Sequence, residues 1–203
     1  AFSLIILTNN QMVVARDRNG LRPLSLGKLG DAYVVASETS AFDLIGAEYV
    51  RDVEPGELLI ISDKGIEVDH FAEKDRRAMC AMEYVYFARP DSNIDGVNVH
   101  MARKRMGKEL AKEWKALGIE ADVITGVPDS SISAAIGFAE ESHIPYELGL
   151  IKNRYVGRTF IQPTQELRER GVKMKLSPVV QVVKGKRVVM VDDSIVRGTT
   201  SKR

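Results

Sequence analysis

Two adjacent carboxylates, Asp192 and Asp193, end the apolar run "KRVVMVDD". The next segment, "SIVRGTTS", places small hydroxyl residues around Gly198. Backbone N–H groups in such a loop, at the start of a helix, can bind a phosphate, and hydroxyl side chains add further donors. Carboxylates do not favour phosphate directly, so these two need Mg²⁺ or sugar hydroxyls as partners. The pattern therefore predicts a site for a sugar phosphate with a divalent cation.

Other common site patterns are absent from the sequence. Neither the P-loop pattern G-x-x-x-x-G-K-[ST] nor the dinucleotide pattern G-x-G-x-x-G occurs. His70, His100 and His143 lack the spacing of zinc ligands, which favours surface or packing roles for all three.

The elements that must position the carboxylates begin after Asn98. An amphipathic helix ending at Gly118 is predicted from the spacing of Val99, Ala102, Met106, Leu110, Trp114 and Leu117. A strand in "ADVITGVP", a helix from about 130 to 142, a strand in "YELGLIKN", a long loop and the strand "KRVVMVDD" follow. This order is typical of a parallel α/β sheet, in which ligands bind at the carboxyl ends of the strands. We therefore expect "GVPDSS", "IKNRYVGR" and "DDSIVRGTTS" to meet at one site.

The chain before Cys80 has a different character. The runs "SLIILTNN", "MVVARD", "AYVVASE" and "ELLIIS" predict antiparallel strands. A short helix is expected around "TSAFDLIG", with Thr39 or Ser40 as its N-cap. The charged stretch "DHFAEKDRRAM" is interpreted as a connector, which predicts one domain over residues 1–75 and another over 76–203.

Composition excludes several classes of protein. The 29 basic and 28 acidic residues nearly cancel, so charge predicts no nucleic-acid or anionic-membrane partner. No apolar run reaches the roughly 18 to 20 residues that a membrane-spanning helix needs. A single cysteine fits a reducing compartment, the cytoplasm. Because the sequence begins within a predicted strand and stops within a predicted helix, we expect it to be an internal piece of a longer protein.

Several motifs carry a resemblance to a known family. "VVMVDDSIVRGTTS" resembles the phosphoribosyl pyrophosphate (PRPP) motif of type I phosphoribosyltransferases. "RDRNGLRPL", "EYVYFARPDSNIDG", "GVPDSSISAA" and "GLIKNRYVGRTFIQP" resemble the glutamine PRPP amidotransferase family, in the same order. The resemblance implies the C-terminal part of an α+β N-terminal-nucleophile glutaminase, followed by a truncated phosphoribosyltransferase with a parallel α/β sheet. It also implies formation of 5-phosphoribosylamine, pyrophosphate and glutamate from PRPP, glutamine and water, the first committed step of purine biosynthesis.

The glutaminase half of this activity has no counterpart in the sequence. The family's nucleophile is an N-terminal cysteine, and neither it nor the oxyanion-hole segment is among these residues, so we expect these 203 residues alone to be inactive. Arg16, Asp17, Arg18 and Gly20 match a family motif, and we interpret them as turn and packing residues rather than substrate contacts.

For the transferase half, the resemblance implies roles residue by residue. PRPP binding is expected at Asp192, Asp193, Ser194, Ile195, Val196, Arg197, Gly198, Thr199 and Thr200. Mg²⁺ is expected at Ser130, Asp192 and Asp193, although Ser130 could instead be the N-cap of the helix that follows.

Lys152, Tyr155 and Arg158 lie in one loop and are the expected catalytic residues. Cationic side chains there would stabilise the leaving pyrophosphate, and the polar segment after them is expected to act as a lid. The alternative is a solvated basic loop.

Cys80 has two interpretations. A lone cysteine is often an inert buried thiol, whereas one branch of the family holds a [4Fe–4S] cluster whose first ligand falls here. The other three thiolates would lie outside this sequence.

The resemblance also implies partners: PRPP and glutamine as substrates, purine nucleotides as feedback inhibitors, and a homo-oligomer, a tetramer in the family. Two alternatives stay open, a non-catalytic PRPP or nucleotide sensor of the same superfamily and a phosphoribosyltransferase of purine salvage. A sensor would need neither the loop "KNRYVGRTF" nor a glutaminase remnant, and a salvage enzyme would leave the β-rich first 75 residues unexplained.

Overall fold

The computed structural model describes residues 1–72, 77–153 and 176–195. The chain divides into two compact units, unit 1 over Ala1–His100 and unit 2 over Met101–Arg203. Each unit mixes helices with strands, which agrees with the predicted mixture of α and β structure.

Unit 1 is built mainly from two antiparallel sheets. The first has the order β1-β2-β6-β7, with β1 at Ser3–Leu7, β2 at Gln11–Arg16, β6 at Glu57–Ser62 and β7 at Gly65–His70. The second has the order β4-β3-β5, with β3 at Ser25–Leu29, β4 at Ala32–Ala36 and β5 at Glu48–Asp52. Helix α1, Ser40–Ile45, connects β4 to β5.

The core of unit 1 follows the alternation of its strands. Val14 on β2 and Leu59 on β6 are register partners, and both are fully buried. They pack with Leu24, Leu26, Val53 and Ile61. The four predicted strands are confirmed as β1, β2, β4 and β6. Strands β3, β5 and β7 were missed because glycine and charged residues interrupt the apolar pattern in "SLGKL", "EYVRD" and "GIEVDH".

Residues 77–98 also pack into unit 1. The backbone N–H groups of Ala78 and Cys80 donate to the carbonyls of Asn19 and Leu21, at 2.8 and 3.1 Å. A π-helical turn at Glu83–Phe87 and a hairpin of β8, Asn93–Ile94, and β9, Val97–Asn98, complete this part. The compact units thus divide at His100, whereas the domain boundary near residue 75 stays a prediction.

The turn of the β8–β9 hairpin is Asp95-Gly96, and both residues have positive φ, 47° and 77°. Two-residue hairpin turns with positive φ at both positions are typical of Asp-Gly. The segment just before the hairpin contacts the residues that precede α1: the Glu38 carboxylate accepts from the Arg89 N–H and the Ser92 hydroxyl, both at 2.8 Å.

Unit 2 contains the predicted helices and strands with two additions. Its elements are α2 at Val99–Lys115, which begins at the end of unit 1, β10 at Val123–Gly126, α3 at Ile132–Ser142, β11 at Leu150–Lys152, β12 at Leu176–Pro178, α4 at Val180–Val183 and β13 at Val188–Val191. Strands β10 and β13 pair in parallel, as predicted. Strand β11 instead pairs antiparallel with β12. Strand β12 and helix α4 lie in the segment that the sequence predicted as a long loop, which corrects that prediction for residues 176–183.

Two glycines set the crossing of α2 and α3. A Cβ atom on Gly107 would lie 1.9 Å from the Ala134 carbonyl oxygen, and one on Gly137 would lie 2.0 Å from that of Lys104. The helix backbones therefore touch along small residues. This corrects the predicted apolar face of α2, because Met106 and Leu110 are 42% and 46% exposed while Ala111 is fully buried.

No helix in the described ranges is long and apolar enough to cross a membrane.

Candidate functional site

The parallel pairing of β10 and β13 brings two of the predicted motifs together. The register runs from Val123 opposite Val188 to Gly126 opposite Val191. The Val127 N–H donates to the Val191 carbonyl at 2.9 Å, which extends the pairing one residue beyond β10. The chain then leaves the sheet at the same edge twice, as residues 128–131 and as residues 192–195.

Two consecutive serines contact the two consecutive aspartates at this edge. The Ser130 hydroxyl donates to Oδ2 of Asp193, and the Ser131 hydroxyl donates to Oδ1 of Asp192 at 3.3 Å. The same Asp192 oxygen accepts from the Asp193 N–H at 2.9 Å, and the Ser194 hydroxyl donates to Oδ1 of Asp193 at 2.7 Å. Both carboxylates are therefore oriented by short polar side chains from neighbouring turns.

The pKa of Asp192 is shifted in the folded protein. Burial raises the pKa of Asp192 above its usual value, and the charge of Asp193 adds to the rise. The hydrogen bonds from the Asp193 N–H and the Ser131 hydroxyl act in the opposite direction. A cation placed beside the pair would offset both costs, because burial and like charge each disfavour the ionised form.

A third strand end reaches the same edge. The Ile124 N–H donates to the Pro145 carbonyl and the Glu147 N–H donates to the Ile124 carbonyl, both at 2.9 Å, so residues 145–147 run beside β10. Strand β11 follows and ends at Lys152, whose ammonium group forms an ion pair with the Asp129 carboxylate. The predicted meeting of three strand ends is thus confirmed for the residues that the structure describes.

The structure excludes one of the two interpretations of Ser130, the N-cap. Helix α3 begins at Ile132, and Ser131 occupies the N-cap position without a capping hydrogen bond from its side chain. The Ser130 hydroxyl is engaged with Asp193 instead. Ser130 is therefore a member of the carboxylate cluster and not the N-cap.

Several predicted site residues lie outside the described ranges. These are Tyr155 and Arg158 of the basic loop and Val196, Arg197, Gly198, Thr199 and Thr200 of the phosphate loop. Ser194 and Ile195, the first residues of that loop, are described and exposed.

Comparison with known proteins adds a second line of evidence. A curated amidophosphoribosyltransferase of Bacillus subtilis (strain 168) is 68% identical over all 203 residues. The chain is similar over its whole length to amidophosphoribosyltransferases. That of Staphylococcus aureus (strain Mu50) is 55% identical over the same 203 residues. The chain spans 42% and 40% of the lengths of these two relatives.

Two solved structures agree with this similarity. One is glutamine PRPP amidotransferase from B. subtilis complexed with ADP and GMP, at a TM-score of 0.88 and 68% identity over 98% of this chain and 43% of the other. The second, described as the allosteric regulatory enzyme of purine biosynthesis, has a TM-score of 0.89 and 68% identity, and covers 100% of this chain and 43% of the other. No family model matches the sequence.

The side chains at the strand ends suit Mg²⁺, which also takes water and phosphate ligands, better than a metal whose ligands all come from the protein. No group of three or more histidine, cysteine, aspartate or glutamate side chains that could hold a metal occurs in residues 1–72, 77–153 and 176–195. Mg²⁺ commonly uses one or two carboxylates, keeps several waters and binds substrate phosphates as well. Asp192 and Asp193, with the Ser130 hydroxyl beside them, fit that pattern.

Cys80 does not by itself fit an iron–sulfur cluster. A [4Fe–4S] cluster needs four thiolates, and Cys80 is the single cysteine of the sequence. It is half-buried, and its thiol is free. The cluster therefore stays a prediction that depends on residues outside this sequence.

The motif residues of unit 1 have structural contacts, as expected. Arg16 is 1% exposed, and its guanidinium donates to the carbonyls of Val53, Arg22 and Gly20 at 2.7, 2.9 and 3.1 Å. The Asp17 carboxylate accepts from the N–H groups of Asn19 and Leu21, both at 3.0 Å. These contacts fix a turn.

The predicted N-cap of α1 is corrected in its detail. Thr39 occupies the N-cap position, but its hydroxyl makes no capping hydrogen bond. It accepts instead from the Asn93 N–H at 2.8 Å. Thr39 and Asn93 also line a cavity of about 320 Å³ in unit 1, with Phe42, Asp43, Tyr49 and Gly96, and this cavity includes none of the predicted site residues.

Sequence reasoning missed Asp129 and Ser131 as site residues. Both flank Ser130 in "PDSS", the turn between β10 and α3. The available signal was their place at the carboxyl end of a parallel strand, where every polar side chain is a candidate for the site.

Proposed function

We propose that the chain is part of an amidophosphoribosyltransferase, which forms 5-phosphoribosylamine, pyrophosphate and glutamate from PRPP, glutamine and water in purine biosynthesis. The observation that carries this proposal is the meeting of Asp192, Asp193 and Lys152 at one sheet edge, in a chain 68% identical to an enzyme of that name. A carboxylate pair with an adjacent cation suits a ligand that combines sugar hydroxyls with phosphates.

The proposed division of labour follows the resemblance. Residues 1–75 would be the C-terminal part of a glutaminase domain, and residues 76–203 would begin the phosphoribosyltransferase domain. The antiparallel sheets of unit 1 and the parallel β10–β13 pair of unit 2 support this assignment.

The chemistry of the transfer explains why these residue types meet. Displacing pyrophosphate from the anomeric carbon places positive charge on the ribose and negative charge on the leaving group. Asp192 and Asp193 would accept hydrogen bonds from ribose hydroxyls, and with Ser130 they would hold Mg²⁺. When bound, Mg²⁺ supplies charge neutralisation for the pyrophosphate. The Lys152 ammonium would contact the leaving group.

Further roles complete the proposal. The 5-phosphate would be bound by residues 194–200, and Tyr155 and Arg158 would help to form the active site. Cys80 would be a cluster ligand in the complete protein. A purine nucleotide would act as a feedback inhibitor, which the ADP and GMP in the B. subtilis structure support. The assembly would be a cytoplasmic homo-oligomer. A non-catalytic sensor is not favoured, because the named relatives are enzymes.

PRPP binding by the complete protein tests the proposal directly. Calorimetric titration with PRPP, with and without Mg²⁺, would compare the wild type with an Asp192→Asn, Asp193→Asn variant. The matched control removes two exposed turn carboxylates of unit 1, Asp31→Asn and Asp63→Asn. We expect Mg²⁺-dependent binding that the control keeps and the site variant loses.

A second assay separates an enzyme from a sensor. Ammonia-dependent release of pyrophosphate from PRPP is expected of the enzyme, whereas a sensor would bind PRPP without releasing pyrophosphate. A folded protein that binds no PRPP would show that the residues after β13 have been misassigned.

A further inference from the structure

Asp129 and Lys152 form an ion pair at the edge of the sheet where the two aspartates lie. Asp129 belongs to the turn after β10, and Lys152 is the last residue of β11. The Lys152 side chain is 33% exposed and that of Asp129 is 68% exposed. The pair is therefore open to solvent and to a ligand that enters from this edge.

The two partners differ in their freedom to move. Asp129 is followed directly by Ser130 and Ser131, whose hydroxyls hold Asp193 and Asp192. A shift of this turn would disturb both carboxylates. Lys152 carries its charge on a flexible four-carbon side chain, so the ammonium group can exchange partners while the backbone stays in place.

An exposed ion pair is weak enough for an anionic ligand to open. Such pairs contribute little free energy because water screens them and the side chains lose freedom. Pyrophosphate carries several negative charges close together, so it competes well with one carboxylate for the same ammonium group. The Asp129 carboxylate and the ligand are thus alternative partners of Lys152.

We propose that Asp129 is a positioning residue that occupies the Lys152 ammonium until a pyrophosphate group replaces it, and that Asp129 thereby weakens pyrophosphate binding. This inference rests on the proposed function. For a ligand that needs an unpaired cation, the apparent affinity falls with the fraction of protein in which the cation is unpaired. A pair of typical exposed strength leaves roughly a sixth to two fifths of the lysines unpaired, so its removal should tighten binding roughly two- to sixfold.

The consequence for the reaction is faster loss of product. A residue that recaptures the lysine when the ligand leaves lowers the affinity for free pyrophosphate. It also keeps the ammonium group at the edge of the sheet between turnovers. Asp129 acts here through Lys152, without contact to the substrate.

A double-mutant cycle in the complete protein tests this coupling. Pyrophosphate binding would be measured by calorimetry, in Mg²⁺ and at fixed ionic strength, for wild type, Asp129→Asn, Lys152→Met and the double variant. We expect Asp129→Asn to bind roughly two- to sixfold more tightly than wild type. In the Lys152→Met background the same change should have an effect of less than about twofold, since the partner is gone.

Two further variants sharpen the result. Glu113→Gln removes an exposed carboxylate from α2 and should leave binding unchanged, which controls for the loss of one negative charge in unit 2. Asp129→Ser removes the carboxylate in a different way and should tighten binding like Asp129→Asn. Thermal melting of each variant confirms that it is folded.

Three outcomes would overturn the inference. Weaker pyrophosphate binding by both Asp129 variants would make Asp129 a ligand or metal contact. An equal effect in the wild-type and Lys152→Met backgrounds would show that Asp129 acts independently of Lys152. Absence of both pyrophosphate and PRPP binding by folded wild-type protein would instead remove the proposed function itself, and the inference with it.

Discussion

Ser130 and Asp193 lie 63 residues apart in the sequence, and the hydroxyl of the first donates a hydrogen bond to Oδ2 of the second. Ser131 and Asp192 form the matching pair, 61 residues apart. Both contacts follow from the register of two parallel strands, in which Gly126 lies opposite Val191. A slip of one residue would turn every following side chain to the other face. The strand pairing therefore brings the two serines close to the two aspartates.

The pH dependence of stability should report the burial of Asp192. Its usual pKa of 3.8 is raised in the folded protein, chiefly by burial. Above 3.8 and up to the raised pKa, the folded state holds more protons than the unfolded state, so stability falls as pH rises through this window. Asp192→Asn removes the penalty. We expect its melting temperature to exceed that of the wild type at pH 7, with the difference vanishing below pH 3.8.

Asp31→Asn, in an exposed turn of unit 1, is the control for this comparison and should change the melting temperature little at either pH. A less stable Asp192→Asn protein at pH 7 would mean that the hydrogen bonds from Ser131 and the Asp193 N–H outweigh the cost of burial.

The crossing of α2 and α3 should not tolerate a methyl group. In Gly137→Ala the new Cβ would lie 2.0 Å from the Lys104 carbonyl oxygen, a backbone atom that cannot rotate away. The helices must separate, which we expect to destabilise the protein by about 1–3 kcal/mol. Urea unfolding would measure the loss, with Glu113→Ala on the exposed face of α2 as the control. Unchanged stability in Gly137→Ala would contradict the close crossing.

Replacement of Arg16 by lysine, the most conservative change, should destabilise the protein. Lysine cannot satisfy the carbonyls of Val53, Arg22 and Gly20 together, because it lacks the planar fork of donors. Buried acceptors without donors cost about 1–3 kcal/mol each, so Arg16→Lys should lose at least about 2 kcal/mol of stability. Arg89→Lys, at an exposed ion pair with Asp91, should change the stability little in the same unfolding assay. Similar losses at both positions would refute the assigned role.

Asp122 should titrate well below the usual pKa of an aspartate, 3.8. Hydrogen bonds from the side chain and N–H group of Arg187 lower the pKa of Asp122 from 3.8 to about 2. Its contribution to stability is present above pH 3.8 and is lost as pH falls through about 2. In Arg187→Gln, we expect NMR titration to show the pKa of Asp122 returning toward 3.8.

Lys186→Gln is the matched control for Arg187→Gln, because Lys186 lowers the same pKa only weakly. Added salt should also reduce the shift, since the pair is exposed. An equal rise of the pKa in both variants would show that general charge, and not the direct hydrogen bonds, sets the titration.

The sequence predicted the strand ends of unit 2 better than the contacts made there. A buried strand that ends in "DD" and one that ends in "PDSS" could be placed at a common edge from parallel-sheet rules alone. The ion pair of Asp129 with Lys152, 23 residues away, could not, because it depends on how residues 145–147 run beside β10 and lead into β11. The inclusion of Ser130 came from the resemblance to a family.

The buried face of α2 was predicted wrongly because the prediction relied on the spacing of large apolar residues. Periodicity selected the large apolar residues Met106 and Leu110, but close helix packing selects small ones, and Gly107 and Ala111 form the buried face. Strands β3, β5 and β7 were missed for a different reason. Pairing with neighbouring strands, and not their own composition, holds them in the sheets.

The attachment of residues 77–98 to unit 1 has a practical meaning for recombinant work. A fragment that stopped near residue 75 would lose the hydrogen bonds from the Ala78 and Cys80 N–H groups to the carbonyls of Asn19 and Leu21. It would also lose the hydrogen bond from the Ser92 hydroxyl to the Glu38 carboxylate. A fragment that continued through His100 would keep them all. Expression of unit 1 as an isolated polypeptide should therefore yield more soluble material when the gene is cut after the codon for His100.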